Sequence, residues 1–355
     1  MMQEQRFTVR FDSPAFLGNA EQSGQWRTPP FKALLRQWWR VAAARSAGYD
    51  VARLRAAEAE LLGSASDEGG GSRQSRLRLR LGSWKSGTLT GAWGNDPPVF
   101  HNEVGTGGRN VGSHLYLGYG PLTFSQGTKL KTGAAIQEGE QAELRLAWPA
   151  DGNELQHAVQ LAHWFGTLGG RSRNGWGSLA FDPEGGAAAF LSEISHDDPL
   201  LGDISRPLED CLRHDWPHAL GVDDGQHLVW RSKEAFPDWR TAMQHLAKVK
   251  IAFRTQDAFA FDAGHGPFAD RHVLAYPVTN HSVGVWGNQK RLANQLRFKV
   301  RKRPDGKYEA LAFHFPCATP REMAASLGHQ APDIARQAAI WRKVHAVLDH
   351  EMQRL

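Results

Sequence analysis

Sixteen histidines and two cysteines are the first candidates for chemistry. Cys211-x2-His214-x3-His218 sets three zinc-type ligands at workable spacing. Structural zinc takes four ligands, and no partner pair elsewhere in the sequence completes the set, so neither a metal nor another cofactor is expected. His196-Asp197 and His214-Asp215 are dipeptides of the kind metal nucleases use, but Asp197-Asp198-Pro199 reads as a turn. His157 and His163 fall on a predicted helix beside a glycine-rich segment, where either could serve as general base on an RNA 2′-hydroxyl without metal. Histidines on a partly apolar helix are more often packed or solvated than catalytic. No residue is assigned a catalytic role, and a metal-independent endoribonuclease is the alternative reading.

The glycine-rich segment is GTLGGRSRNGWGSL, residues 166–179, with five glycines, two arginines and a tryptophan. It is not a P-loop, because Gly170-x4-Gly175 is followed by Trp176 and not by lysine. Gly175-Trp176-Gly177 followed by Ala180 satisfies the dinucleotide pattern GxGxxA, yet both nucleotide loops run from strand to helix, so that helix amides meet the phosphate. Here the order is reversed. Leu155, Val159, Ala162 and Phe165 recur at helical spacing upstream, with Asn153 as N-cap and Gly166 as terminator, and 178–181 reads as a strand. A helix-to-strand loop must grip an anion through Arg171, Arg173 and its own amides. Trp176 stands between two glycines and close to an apolar strand, which favours the core over a base.

These segments need a scaffold. Phe7, Val9 and Phe11 alternate with polar residues and predict a strand over 6–11. Thr28-Pro29-Pro30 opens a helix over 29–45 with Phe31, Leu34, Leu35, Trp38, Val41 and Ala42 on one face and Lys32, Arg36 and Arg40 as a basic stripe. Residues 64–75 read as a low-complexity linker. The run RLRLRL, 76–81, predicts a strand with Arg76, Arg78 and Arg80 on one side. Residues 82–140 form a long Gly-rich insertion with one possible strand at 114–117, and a strand follows over 143–148. The order is then β-α-β-β-α-β, that of a ferredoxin-like domain. The second half repeats it: a strand over 226–231, a helix over 238–253, strands over 296–302 and 307–315, and a helix over 332–348. In LRFKVRK, Arg297, Lys299 and Arg301 are expected to face outward. The expected fold class is α+β: tandem ferredoxin-like (RRM-like) domains, residues 1–185 and 186–355, the first carrying the insertion.

The formal charge is +5 and the pI near 9.3. Two cysteines make no disulfide framework, which predicts a reducing cytoplasm, and no apolar stretch suggests a signal peptide or a membrane span. Arginine and lysine alternating with apolar residues keep any one-sided sheet soluble. Three basic segments within one small domain, nearly free of acids inside them, make nucleic acid the leading partner.

The segments FLGNAEQSGQWRTPPFKALLRQWW (16–39), Leu61-Leu62-Gly63-Ser64 and GGRSRNGWGSL (169–179) together resemble the RAMP superfamily of CRISPR proteins. The closest likeness is to the first-subunit family of the Cmr (type III-B) effector complex. Arg27, Pro29, Lys32, Arg36, Trp38, Trp39 and Arg40 match its helix-entry pattern, with Ala33 where glycine is usual and Leu62 where phenylalanine is usual. The resemblance spans residues 6–182. It implies a non-catalytic RNA-binding subunit that holds crRNA near its 3′ end, helps engage target RNA and sits beside other RAMP subunits, the nuclease centres lying in different subunits. To Arg76, Arg78 and Arg80, which the alternation of RLRLRL offers, it adds Arg27, Lys32, Arg36 and Arg40 as expected RNA contacts, together with Gly169, Gly170, Arg171, Arg173, Asn174, Gly175, Trp176 and Gly177 of the loop. There the glycines would let backbone approach phosphates.

Overall fold

The computed structural model describes residues 2–65, 71–184, 191–260, 264–279 and 281–355. It divides into two units. One is Met1–Asn95, Leu117–Ile204 and Lys299–Lys302; the other is Asp96–Tyr116, Ser205–Phe298 and Arg303–Leu355. The expected boundary at 185/186 and residues 66–70 of the expected linker lie outside the described residues.

In the first unit the elements are β1 (Met2–Phe11), α1 (Thr28–Ala42), α2 (Val51–Leu62), β2 (Arg78–Leu81), β3 (Gln141–Pro149), α3 (Asn153–Phe165) and β4 (Leu179–Pro183). The strands lie in the order β2-β3-β1-β4, each antiparallel to its neighbour. One face carries Phe7, Val9, Phe11, Leu81, Leu144 and Leu146, all buried. Above it α1 packs against α3, with Trp38 and Phe165 at 5.7 Å between ring centroids. Pro29 and Pro30 open α1, where their missing N–H groups cost no helical bond. Helix α3 begins at Asn153 itself, so Asn153 is its first residue and Gly152 the cap, and Gly166 ends it by donating to Ala162 O.

Helix α2 carries no strong apolar period and was not anticipated from sequence. Asp50 caps it by accepting from Arg53 N, and Leu54, Leu61 and Leu62 are buried. The strand expected at 114–117 is a helical turn instead, Ser113–Gly118. Its first amides are satisfied from a distance, because the Asp96 carboxylate accepts His114 N at 2.8 Å and Leu115 N at 3.1 Å.

In the second unit the strands β5 (Val229–Arg231), β6 (Leu296–Lys302, whose residues Lys299–Lys302 belong to the first unit), β7 (Tyr308–His314) and β8 (Gln353–Arg354) form a sheet in the order β6-β7-β5-β8, and the helices α4 (Trp239–Arg254) and α5 (Ile334–Glu351) pack together. The expected strand over 226–231 breaks at Leu228. Gln226–His227 instead turns back on Leu220–Asp223 through Asp224 and Gly225, both at positive φ. The outward face expected for Arg297 and Lys299 is absent: the pair are 6% and 1% exposed, as buried as Phe298 between them. A strand covered on both sides keeps no solvent face, whatever its alternation. Arg297 stacks over Phe315 at 5.7 Å. Both units are thus mixed layers of helix and antiparallel sheet, an α+β architecture, and among the described residues no helix is long and apolar enough to cross a membrane.

Candidate nucleic-acid interface

The outer face of the first unit's sheet carries a group of arginines. Register places Arg80 opposite Arg145 on β3, and Arg145 opposite Arg6 on β1, so one row of arginines crosses three strands on the side away from the helices. Arg6 meets Glu4 at 3.5 Å, and Arg145 is held by Glu143. Arg78 and Arg80, on the edge strand β2, are exposed, and Arg145 first, then Arg6 and Arg80, hold the Glu143 carboxyl below its ordinary pKa. Arg76 faces Glu60 at 3.6 Å and Asp151 at 3.8 Å, and with Arg78 it lines an open cleft of about 670 Å³ beside Met2, Gln74 and Pro149. Arg6 and Arg145 escaped the sequence reading because a single arginine in an alternating strand signals nothing until pairing lines up its neighbours.

The basic stripe on α1 has a different character. Glu58 of α2 sits beneath it: Arg40 Nη2 donates to Glu58 Oε1 at 2.8 Å, and Arg36 Nε lies 3.1 Å from the same oxygen. Arg36 Nη2 also donates to the last carbonyls of α2, Leu62 O at 3.1 Å and Gly63 O at 2.9 Å. These arginines close α2 onto α1, and Glu58 holds the Arg40 guanidinium above its ordinary pKa. Lys32, half-buried beside Arg36, has its pKa lowered first by burial and then by that neighbour, and it has no acidic partner among the described residues. Arg27 reaches back to Gly18 O, tying the Phe16-Leu17-Gly18 turn to the start of α1. Trp38 and Trp39 are buried. Much of the family-like pattern therefore builds the scaffold. Glu58→Gln should release two arginines at once and lower stability by about 1 kcal/mol, which a thermal melt beside wild type checks.

The glycine loop is knit to its own protein. A Cβ on Gly177, at φ +65°, would lie 1.8 Å from Leu168 O, and one on Gly169, at φ +98°, would lie 2.7 Å from Phe16 O. Gly170 N donates to Phe16 O and Gly177 N to Pro14 O, while Gly175 O accepts from both Ser13 Oγ and Ser178 Oγ. These glycines let the loop approach other backbone closely. Asn174 is buried and donates to Leu117 O at 2.8 Å. Trp176 is fully buried, with centroids 5.0 Å from Phe16 and 5.4 Å from Trp93, which takes its ring away from any base. Arg173 is half-buried. Arg171, at positive φ, is exposed and donates through Nε to Tyr119 O at 2.6 Å.

The histidine candidates separate in the same way. His163 Nδ1 accepts from Phe181 N, and burial followed by the charge of Lys299 pushes its pKa down to about 3, leaving it neutral and a weak base at any ordinary pH. His157 is exposed on the opposite side of α3. Lys299 is fully enclosed against the loop's base, donating to His163 O at 2.6 Å and Leu179 O at 2.7 Å, and burial takes its pKa to about 7. Cys211 Sγ bonds Arg206 O, and the two ring nitrogens of His218 meet Arg206 and Trp216 O. Among the described residues no three His, Cys, Asp or Glu side chains are placed to hold a metal ion.

No protein-family model matches the sequence, and no curated protein does. Solved structures do match. The chain is similar to Cmr1 from Pyrococcus furiosus in its apo form, at 11% identity and TM-score 0.45, over 93% of this chain and 97% of that one. It is similar to a chain of the type III-B Cmr-beta complex bound to cognate target RNA, at 11% identity and TM-score 0.49, over 97% and 99%. A chain of Cmr-beta bound to cognate target RNA and AMPPnP in the presence of single-stranded DNA matches at 10% identity and TM-score 0.45, over 98% and 99%. These neighbours, a Cmr1 and chains of type III-B Cmr complexes, span nearly the whole chain at low sequence identity.

Proposed function

We propose that this chain is an RNA-binding subunit of a type III-B CRISPR effector ribonucleoprotein, that it holds crRNA near its 3′ end and helps engage target RNA beside other RAMP subunits, and that it cuts neither. The observation that carries this reading is the exposed pair Arg78 and Arg80 on the edge strand, continued across the sheet by Arg145 and Arg6. The matching order of strands in the two units, second-third-first-fourth with two helices on one face, supports a tandem ferredoxin-like architecture in which such a sheet face is open to a strand of RNA. The motif resemblance supplies the family. A neutral, backbone-bonded His163 offers little to base catalysis.

Contact of this kind is mostly with phosphate, so affinity should fall steeply with salt and depend little on sequence. Arg78→Ala with Arg80→Ala should flatten the log-log slope by roughly 0.7 for each lost contact to a single strand. The decisive assay incubates the purified chain with labelled crRNA in EDTA. Retention without cleavage supports the proposal, cleavage would assign a metal-independent endoribonuclease, and neither would leave a protein-only cap.

A further inference from the structure

We infer that residues 119–131 form a stacking platform for unpaired RNA bases, mounted on the glycine loop. Following the turn Ser113–Gly118, strand Leu122–Phe124 pairs antiparallel with Thr128–Leu130 in a short ribbon. Two large rings stand open on it, Tyr119 at 66% and Phe124 at 67% exposure. Lys129 and Lys131 are exposed beside them, and residues 117–137 contain no Asp or Glu. Rings left in water next to unbalanced positive charge match a partner that offers both π faces and phosphates, which is single-stranded nucleic acid.

The mount is the loop itself. Asn174 donates to Leu117 O at 2.8 Å and Arg171 to Tyr119 O at 2.6 Å, so both carbonyls bracketing Gly118 are held. Gly118 lies against the Trp176 indole, where a Cβ would come within 3.1 Å of Nε1. Lys131 N donates to Pro121 O at 2.8 Å and closes the base of the ribbon. The loop's buried Trp176 and Asn174 thus act through the segment they support, with Arg171 adding charge at the rim. With its backbone held at Leu117, Tyr119 and Pro121, the segment has less freedom to lose on stacking.

This inference rests on the RNA-binding reading, and the experiment separates the two. Full-length wild-type chain is titrated with single-stranded oligouridine and with a fully paired RNA duplex of equal length, alongside Tyr119→Ala/Phe124→Ala and Tyr119→Leu/Phe124→Leu chains. Failure of the wild-type chain to bind either RNA overturns the reading of the protein as an RNA-binding subunit, and this platform with it. With wild-type binding in hand, each lost stacked base should cost about 5- to 150-fold in affinity for the single strand. Duplex binding and the melting temperature should stay nearly as they were, because the rings are exposed. The leucine pair keeps apolar bulk without a π face, and it should lose single-strand affinity as the alanine pair does. Unchanged affinity in both variants, or an equal loss for duplex, overturns the platform and leaves the two rings to a protein contact.

Discussion

Trp176→Ala should lower the unfolding free energy by about 3–5 kcal/mol, because it empties a site enclosed by Phe16, Trp93 and Gly118. For a unit of this size the melting temperature should fall by roughly 10 °C. The loss should reach beyond the cavity: the indole backs the segment that Asn174 and Arg171 hold, so the ribbon at 119–131 should loosen with it. Hydrogen exchange read at the amide of Lys131, which donates to Pro121 O, reports that loosening directly. A Trp176→Ala chain that melts like wild type yet releases RNA would instead put the ring on a base. Trp176→Phe retains part of the contact and should recover part of the stability.

The second large effect is the dependence of stability on pH. His163 and His345 are buried with pKa values pushed to about 3 by burial first, then by Lys299 for the former and Arg354 for the latter. Their folded values lie below the ordinary 6.5, so the folded chain binds fewer protons than the unfolded one. The stability they contribute is complete above pH 6.5 and drains away as pH falls toward 3. At pH 4.5 each should cost on the order of 3 kcal/mol. His314, bonded to His345 at 3.0 Å and also lowered by burial, should add to the loss. Lys299 works at the other end. Its folded pKa of about 7 lies below its ordinary 10.5, so its contribution is complete above pH 10.5 and lost as pH falls to 7. Stability should therefore climb by about 4 kcal/mol from pH 7 to 10, unlike most proteins. Urea midpoints across that range check the curve. His163→Gln and His345→Gln should flatten the acid limb, and Lys299→Met the alkaline one. A wild-type curve flat from 7 to 10 would mean that Lys299 stays charged through its two carbonyl partners and Asp12.

Much was legible locally. Alternation of Phe7, Val9 and Phe11 marks β1, the apolar face and two prolines mark α1, and the 3.6-residue spacing of Leu155, Val159, Ala162 and Phe165 marks α3, which begins one residue earlier than a cap at Asn153 implies. These signals survive in sequence because each element's buried face repeats with its own backbone period. The family-like motifs were legible too, and so was the core place of Trp176, but not what Arg27, Trp38 and Trp39 do, which is to hold backbone and core together. A motif records that residues are needed, and a scaffold can need arginine and tryptophan as much as a ligand does.

Charge was the property that sequence could count but not place. Arg36 and Arg40 read as an open stripe because Glu58, their counter-charge, lies on another helix 18 residues beyond Arg40 and meets them only when α2 folds onto α1. Lys299 alternates like a surface residue, yet it is enclosed, because burial depends on what covers a strand's second face, and no feature of LRFKVRK encodes that cover. Arg6, Arg80 and Arg145 stand up to 139 positions apart and become one row only through strand pairing. Tyr119 and Phe124 look like two more core aromatics until the fold leaves them outside. The sequence by itself determined the strongly periodic elements, β1, α1 and α3 among them, and the excess of basic residues, since these follow from local periodicity and composition. Which of those charges remain free, and which rings face water, was decided by tertiary structure alone, because neutralisation and exposure belong to pairs of segments brought together in space.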